Sequence, residues 1–313
     1  MLTSNAGNAF ALQPLQSRWV NQSIGGRSED SPGATLLIRA RPELGDASSP
    51  FNASLHRHGG FTMKALVVGG SGRIGSRVCK ILKGAGHDVI AASRRTGVDT
   101  MTGEGLAASL KGVDVVIDTS DSPSFEESAV FDFFTKSSSN IAREAKSAGV
   151  GSLVVLSVVG IDRLPSNGYY SAKLAQEETV KSSGMPFAIV RATQFLEFLD
   201  VIASASTQGN VVKVSTAYLQ PIAADDVAKF VSAVAMEEPR NQTVDVAGPE
   251  AFRASDIMAS YLQAKHDPRI VIGDPQATYF GSKLETNSLT PVGTRAALGT
   301  ITFEAWLGAT ANT

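Results

Sequence analysis

From Met63 onward, short apolar runs alternate with longer segments of helical period, a pattern that predicts parallel strands covered by helices on both faces. The runs Lys64–Val68, Asp88–Ala92, Val113–Asp118, Ser152–Ser157 and Phe187–Arg191 read as strands. Helices are expected over Ile74–Lys83, Glu126–Ala148, Ser171–Ser182 and Thr193–Ser204. Gly84, Gly86, Gly149 and Gly184 stand just past helix ends, where a left-handed C-cap is common. Crossovers between parallel strands are almost always right-handed, so these five strands predict a doubly wound α/β sheet.

Beyond residue 205 the pattern loosens. Strands are expected over Val211–Val214, Thr243–Val246 and Arg269–Ile272, and helices over Asp225–Met236 and Ser255–Ala264. Together they predict a small α+β lobe, residues 206–313, set over the carboxyl ends of the strands of a 63–205 domain. Residues 1–62 have no sustained period and carry Ser, Gly, Pro and Asn throughout, which predicts disorder. The abrupt change at Met63-Lys64 favours a mis-called translation start over a flexible tail. A transit peptide fits Arg18, Arg27, Arg39 and Arg41 but not Glu29, Asp30, Glu43 and Asp46.

Composition narrows the classes. In a chain of 313 residues, 43% hydrophobic content is enough for a large core. With 28 basic and 30 acidic residues and a formal charge of −2, no footprint for nucleic acid is present. Cys79 is the one cysteine, so no disulfide forms within the chain, and its place in a helical pattern predicts a buried thiol. No apolar run is long enough to span a bilayer and no secretory signal precedes the first strand, so a cytoplasmic protein without a membrane partner is expected. Asn52-Ala-Ser and Asn241-Gln-Thr are read as chance glycosylation matches. His56, His58, His87 and His266 lack metal-ligand spacing, so no metal is expected.

The first strand runs into Gly69-Gly70-Ser71-Gly72-Arg73-Ile74-Gly75 and then into a helix. Gly69, Gly72 and Gly75 permit a sharp turn, close approach of a pyrophosphate to bare backbone, and tight helix–sheet packing. Unpaired N–H groups in the first helical turn suit the phosphates of a dinucleotide. After the second strand, Ser93-Arg94-Arg95 offers no carboxylate for ribose hydroxyls but suits a 2′-phosphate, with Arg73 within reach of it. NADP is therefore expected over NAD. Asp118 and Thr119 end the third strand, where their side chains are expected to face the crevice. Asp99 either approaches the adenine or braces its own loop.

Ser157 ends the fourth strand, and Tyr169 and Lys173 follow four residues apart on one face of a helix. There an ammonium can lower the phenol's pKa, the phenol can protonate a carbonyl as hydride arrives, and Ser157 can polarise it. An amphipathic helix merely decorated by Tyr and Lys is the plainer reading of that spacing. Gln194 and Phe195 follow the fifth strand as candidate substrate or nicotinamide contacts, with Thr193 as N-cap. Asp225-Asp226 is expected to cap a helix start. Phe125, Phe131, Phe133 and Phe134 are expected to form a buried helix face.

Taken together, Gly69-x-x-Gly72-x-x-Gly75, Ser93-Arg94-Arg95, Leu156-Ser157-Val158-Val159-Gly160, Tyr169-Tyr170-x-x-Lys173 and Val190-Arg191-Ala192-Thr193-Gln194-Phe195 resemble the NmrA-like, atypical short-chain dehydrogenase/reductases. The resemblance, over about Met63 to Leu307, implies a Rossmann domain with a small substrate lobe, NAD(P) binding, and either reductase activity or redox sensing. It implies Ser157, Tyr169 and Lys173 as the catalytic set. Three functions follow: an NADPH-dependent reductase of a small carbonyl, quinone or similar electrophile; a catalytically silent NADP(H) sensor acting on a protein partner; and, less favoured, a nucleotide-sugar epimerase. A small-molecule substrate and a homodimer or regulatory partner are the expected associations.

Overall fold

The computed structural model describes residues 62–310 apart from Phe125, Thr294 and Arg295. The expectations for residues 1–61, with His56, His58, Asn52 and the leader's charges, lie outside the described residues, as do those for Phe125.

The chain opens with β1 (Lys64–Val68), α1 (Arg73–Gly84), β2 (Asp88–Ala92), the short α2 (Leu106–Ser109) and β3 (Val115–Asp118). It continues through α3 (Glu127–Ser147), β4 (Ser152–Val158), α4 (Gly168–Ser182), β5 (Phe187–Ala192) and α5 (Leu199–Ala205). Then come β6 (Thr207–Gln208), β7 (Val211–Val214), β8 (Tyr218–Leu219), α6 (Ala224–Ala235), β9 (Gln242–Ala247), β10 (Phe252–Arg253) and α7 (Ala254–Ala264). Last are β11 (Ile270–Gly273), β12 (Thr278–Tyr279), β13 (Ser282–Lys283), β14 (Ala297–Leu298) and α8 (Phe303–Thr310).

Seven strands form one parallel sheet in the order β14-β9-β5-β4-β3-β1-β2. The fold is thus a Rossmann-like doubly wound sheet, with β2 on one side of β1 and β3 on the other. At such a reversal the first loop stands over a crevice at the strands' carboxyl ends. On one face, Ile74, Val78 and Leu82 of α1 and Val227 and Val231 of α6 pack on Val67, Ile117 and Val190. On the other, Ile141 and Ala145 of α3 and Val180 of α4 cover Leu66, Val116 and Leu153. Cys79 is buried beneath the glycine loop, as its helical setting predicts.

Three elements expected in the C-terminal lobe or its approach behave differently. The helix α6 packs against α1, and β9 pairs with β5, so both complete the main sheet rather than the lobe. The chain therefore re-enters the first layer after residue 206. The lobe itself has its own core, in which Leu196, Leu199, Ile202, Leu219, Ile257, Met258 and Leu289 are sealed. The helix expected from Thr193 begins only with a 3-10 turn at Leu196. Thr193 Oγ1 donates to Gln220 O at 2.6 Å and Phe195 bridges Ile222 in parallel, which holds this stretch extended. Gly84 is the last residue of α1, while Gly86, Gly149 and Gly184 take the left-handed conformation.

Asp226 does more than begin α6. Its carboxylate, 2% exposed, accepts from the backbone N–H of Thr300 and Ile301 at 2.7 and 2.8 Å, tying the C-terminal segment to the sheet's helices. Asp225 instead pairs with Arg77 at 2.6 Å on the surface. Of the phenylalanines, Phe134 is fully buried and Phe133 partly so, but Phe131 is exposed. No helix among the described residues is long and apolar enough to cross a membrane.

Candidate functional site

The glycine loop closes by Gly72 N–H donating to Gly69 O at 2.8 Å, with Gly69 at φ +74. A Cβ on Gly69 would stand 2.9 Å from Ser120 N, and one on Gly75 would meet Gly69 O and lie 2.7 Å from Thr119 Oγ1. Only glycine lets α1 approach β1 and β3 so closely. Gly72 provides no side-chain cap, so the N–H groups of Arg73, Ile74 and Gly75 are left for a ligand. The Ile74 side chain is buried in the core, whereas Ser71 and Arg73 are exposed. Arg73 Nη1 donates to Glu197 O at 3.3 Å.

At the end of β2, Ser93 forms a capping box with Thr96, its N–H donating to Thr96 Oγ1 at 2.8 Å, and Arg94 and Arg95 lie exposed in the turn that follows. A bare glycine cradle and free helix N–H groups beside two exposed guanidinium groups fit a dinucleotide with its phosphates. Other polar residues are committed to protein. Thr119 Oγ1 donates to Val68 O at 2.9 Å, bracing the loop. Asp118, 3% exposed, accepts from Ser120 N and Oγ and, through Oδ2, from Gln176 Nε2 at 3.0 Å. Both side chains turn inward, away from the crevice-facing position expected of them. Burial pushes the Asp118 carboxyl above its ordinary value, against the pull of Ser120, Lys173 and Gln176. Asp99 accepts from the N–H groups of Met101 and Thr102, the loop-bracing role.

The helix α4 carries the next set, begun by Asn167, whose side chain accepts from Tyr170 N–H at 3.1 Å. Tyr169 and Lys173 do share a face of it. Their charges, however, go elsewhere. Lys173, 3% exposed, donates to Leu156 O at 2.7 Å and to Gln176 Oε1, and its ammonium sits 4.5 Å over the Phe134 ring. The same ring packs edge-on against Tyr169. Tyr169 hydroxyl donates to Asp121 Oδ1 at 3.2 Å. Burial, and then the Asp121 carboxylate, hold the Tyr169 phenol well above its ordinary value, the reverse of the lowering expected from Lys173. Burial brings the Lys173 amine down, while Asp118, Asp121 and Glu177 pull it back up.

Ser157, near the end of β4, donates its buried hydroxyl at 2.7 Å to Oε1 of Glu177, which lies two helical turns beyond Tyr169 on α4. Glu177 also receives Arg191 Nε and Nη2, each at 2.8 Å, and Arg191 reaches Asp162 at 3.1 Å. Burial raises the Glu177 carboxyl, but Arg191, Ser157 and Lys181 together bring it below the ordinary carboxylate value. In this geometry Ser157 belongs to an ion-pair network and does not join Tyr169.

Beyond β5, Gln194 is 6% exposed, its carboxamide set against the Tyr170 hydroxyl. Phe195 is half-buried and packs toward the main core. Sequence reasoning missed Asp121, Gln176, the Glu177–Arg191 pair, Tyr170 and Tyr279. Only Gln176 had a local signal, three residues from Lys173 on the same helix.

Residues 95–238 match the NAD(P)H-binding family. The chain is 24% identical over 214 residues to the photosystem II assembly factor Ycf39 of Synechocystis sp., covering 63% of this chain and 66% of that relative. It spans about two thirds of the length of the curated relatives it matches. Among solved structures, MoeE5 in complex with UDP-glucose and NAD aligns with a TM-score of 0.63 at 16% identity, covering 80% of this chain and 99% of that one. A short-chain dehydrogenase/reductase superfamily protein from Agrobacterium tumefaciens with bound NAD gives 0.60 at 17% identity, covering 80% and 96%. The match to the NAD(P)H-binding family covers the part of the chain from just after β2 to just past α6, and the solved structures share its Rossmann-like fold.

Proposed function

We propose that the chain is an NADP(H)-preferring oxidoreductase that reduces a small, uncharged carbonyl, quinone or similar electrophile. The observation that supports this reading is the bare glycine turn with the uncapped first turn of α1 beside the exposed Arg94-Arg95 turn, with Tyr169 and Lys173 sharing one face of α4.

Bound NADPH supplies the hydride. Arg94, with Ser93 and Arg95, holds the 2′-phosphate, and the first turn of α1 holds the pyrophosphate. Tyr169 leaves Asp121 and protonates the substrate oxygen, while Lys173 keeps a positive charge beneath the site. Arg253 is donated to Thr216 O and stacked over Tyr218, and Arg269 is paired with Asp267, which leaves little for the diphosphate of a sugar nucleotide. A cytoplasmic setting and a homodimer belong to the same proposal.

The test is NADPH consumption with a panel of quinones and carbonyls. Substrate-dependent consumption is expected, and Tyr169→Phe should lower kcat by about 100-fold or more with NADPH affinity kept. Consumption with no member of the panel overturns the reductase reading, and full turnover by the variant overturns the role of Tyr169.

A second reading, a catalytically silent NADP(H) sensor with a protein partner, is favoured by the Tyr169–Asp121 bond and by the saturation of Lys173. It requires unequal affinities for NADP⁺ and NADPH, because a ligand shifts a conformational equilibrium only through differential affinity. Equal affinities by calorimetry exclude it.

A further inference from the structure

Three buried side chains, Lys173 and Gln176 of α4 and Asp118 of β3, are strung together by hydrogen bonds. Gln176, 1% exposed, stands three residues past Lys173 on the helix. Its Oε1 accepts from Lys173 Nζ, and its Nε2 donates to Asp118 Oδ2 at 3.0 Å. The run continues into the backbone. Asp118 Oδ1 accepts from Ser120 N–H at 3.0 Å and from Ser120 Oγ at 2.6 Å, and Ser120 N is the atom that a Cβ on Gly69 would approach to 2.9 Å. Hydrogen bonds therefore lead from the chain beside the glycine turn to the ammonium on the Tyr169 face of α4.

Charge fixes which way round the amide sits. An ammonium has donors alone and a carboxylate acceptors alone, so a carboxamide serves both with its oxygen toward Lys173 and its nitrogen toward Asp118. The three carboxylates whose charges bear on Lys173 are each engaged elsewhere. Asp118 stands behind the amide, Asp121 of the loop after β3 takes the Tyr169 hydroxyl, and Glu177 of α4 takes Ser157 and Arg191. From β4 and α3 the ammonium meets Leu156 O and the Phe134 ring, neither of them charged.

We infer that Gln176 is a positioning residue, whose carboxamide holds the Lys173 ammonium charged, clear of direct contact with a carboxylate, and in register with the glycine turn. A carboxylate in its place would cancel much of the field that Lys173 sets up at Tyr169, whereas a neutral amide accepts the hydrogen bond and leaves the charge. An apolar side chain there would leave the ammonium short of an acceptor and Asp118 short of a donor, both in a buried setting. The consequence for turnover rests on the reductase reading above, while the consequence for Lys173 does not.

The test compares the full-length wild type with Gln176→Met, which keeps the side chain's length, and with the exchange Gln176→Glu plus Asp118→Asn. The exchange keeps a donor or acceptor at each place in the run but sets a carboxylate directly against Lys173. One readout is the Lys173 titration, followed by carbon NMR of isotopically labelled lysine, its signal identified by loss in Lys173→Arg. The other is kcat and KM for NADPH consumption with the quinone and carbonyl panel. Gln176→Met should bring the Lys173 titration down by about one pH unit, and the exchange should take it above the wild type. Both should lower kcat by about tenfold and leave KM for NADPH within about twofold. The exchange should unfold at nearly the wild-type denaturant concentration, so it decides the matter alone if Gln176→Met does not fold. A side chain that merely fills space predicts an unmoved Lys173 titration in either variant and full turnover in the exchange, and any of these results overturns the proposal. The titration is read without turnover. A protein that consumes no NADPH yet shows the opposed shifts of Lys173 loses the reductase reading and keeps Gln176 as the residue that sets Lys173.

Discussion

The two halves of the groove are built by different means. In the half proposed to hold the cofactor, a few consecutive residues make the turn: Gly69, Gly72 and Gly75 with the first turn of α1. In the other half, Tyr169 meets Asp121 and Ser157 meets Glu177, partners 48 and 20 residues apart. The first kind of site is set by backbone conformation and tolerates no Cβ. The second is set by which strand ends and loops the lobe brings together, so its side chains take partners that spacing does not specify.

Four changes would break or sharpen that contrast. Gly75→Ala should have the largest effect on cofactor binding, since its Cβ meets Gly69 O, Thr119 Oγ1 and the loop backbone at once. NADP(H) affinity should fall by roughly 100-fold, or ~2.7 kcal/mol, by calorimetry. Unchanged affinity would mean the cradle does not hold the pyrophosphate. Glu177→Gln removes the buried carboxylate from Arg191, whose side chain is 14% exposed, leaving it the half-exposed Asp162, and should cost about 2 kcal/mol in denaturant unfolding with little change in cofactor affinity. Because folding holds the Glu177 carboxyl below 4.5, its ordinary value, the pair stabilises the protein above that pH. The contribution is lost as pH falls through the lower folded value, and stability curves of the wild type and Glu177→Gln should converge there.

Arg94→Ala should weaken NADPH by about tenfold and NADH by less than about twofold, the loss of one charge-assisted contact. A uniform loss for both cofactors would remove the 2′-phosphate assignment. Asp121→Asn should have the smallest effect. It withdraws the carboxylate that adds to burial in raising the Tyr169 phenol, so the ultraviolet titration of that tyrosine should move to lower pH. A titration that does not move would separate Tyr169 from Asp121 in solution.

The alternation from Met63 to Ala192 made the sheet legible, with strand bounds within a residue or two of those observed. Past residue 205 it did not, because β9 and α6 belong by contact to the main sheet although they lie in sequence among lobe elements. The Tyr169–Lys173 pairing on one helix face was legible for the same reason as the glycine loop, since both depend on neighbours within one turn. The direction in which Lys173 spends its charge was not, because Phe134 and Leu156 come from other elements.

By itself, then, the sequence determined the repeated strand–helix units, the dinucleotide cradle and the register of Tyr169 with Lys173, all consequences of backbone geometry over a few residues. Tertiary structure decided that Ser157 joins Glu177 and Arg191 and that Asp121 takes the Tyr169 hydroxyl. Those outcomes depend on burial and on which distant groups arrive first at hydrogen-bonding distance, and neither quantity is written in local spacing.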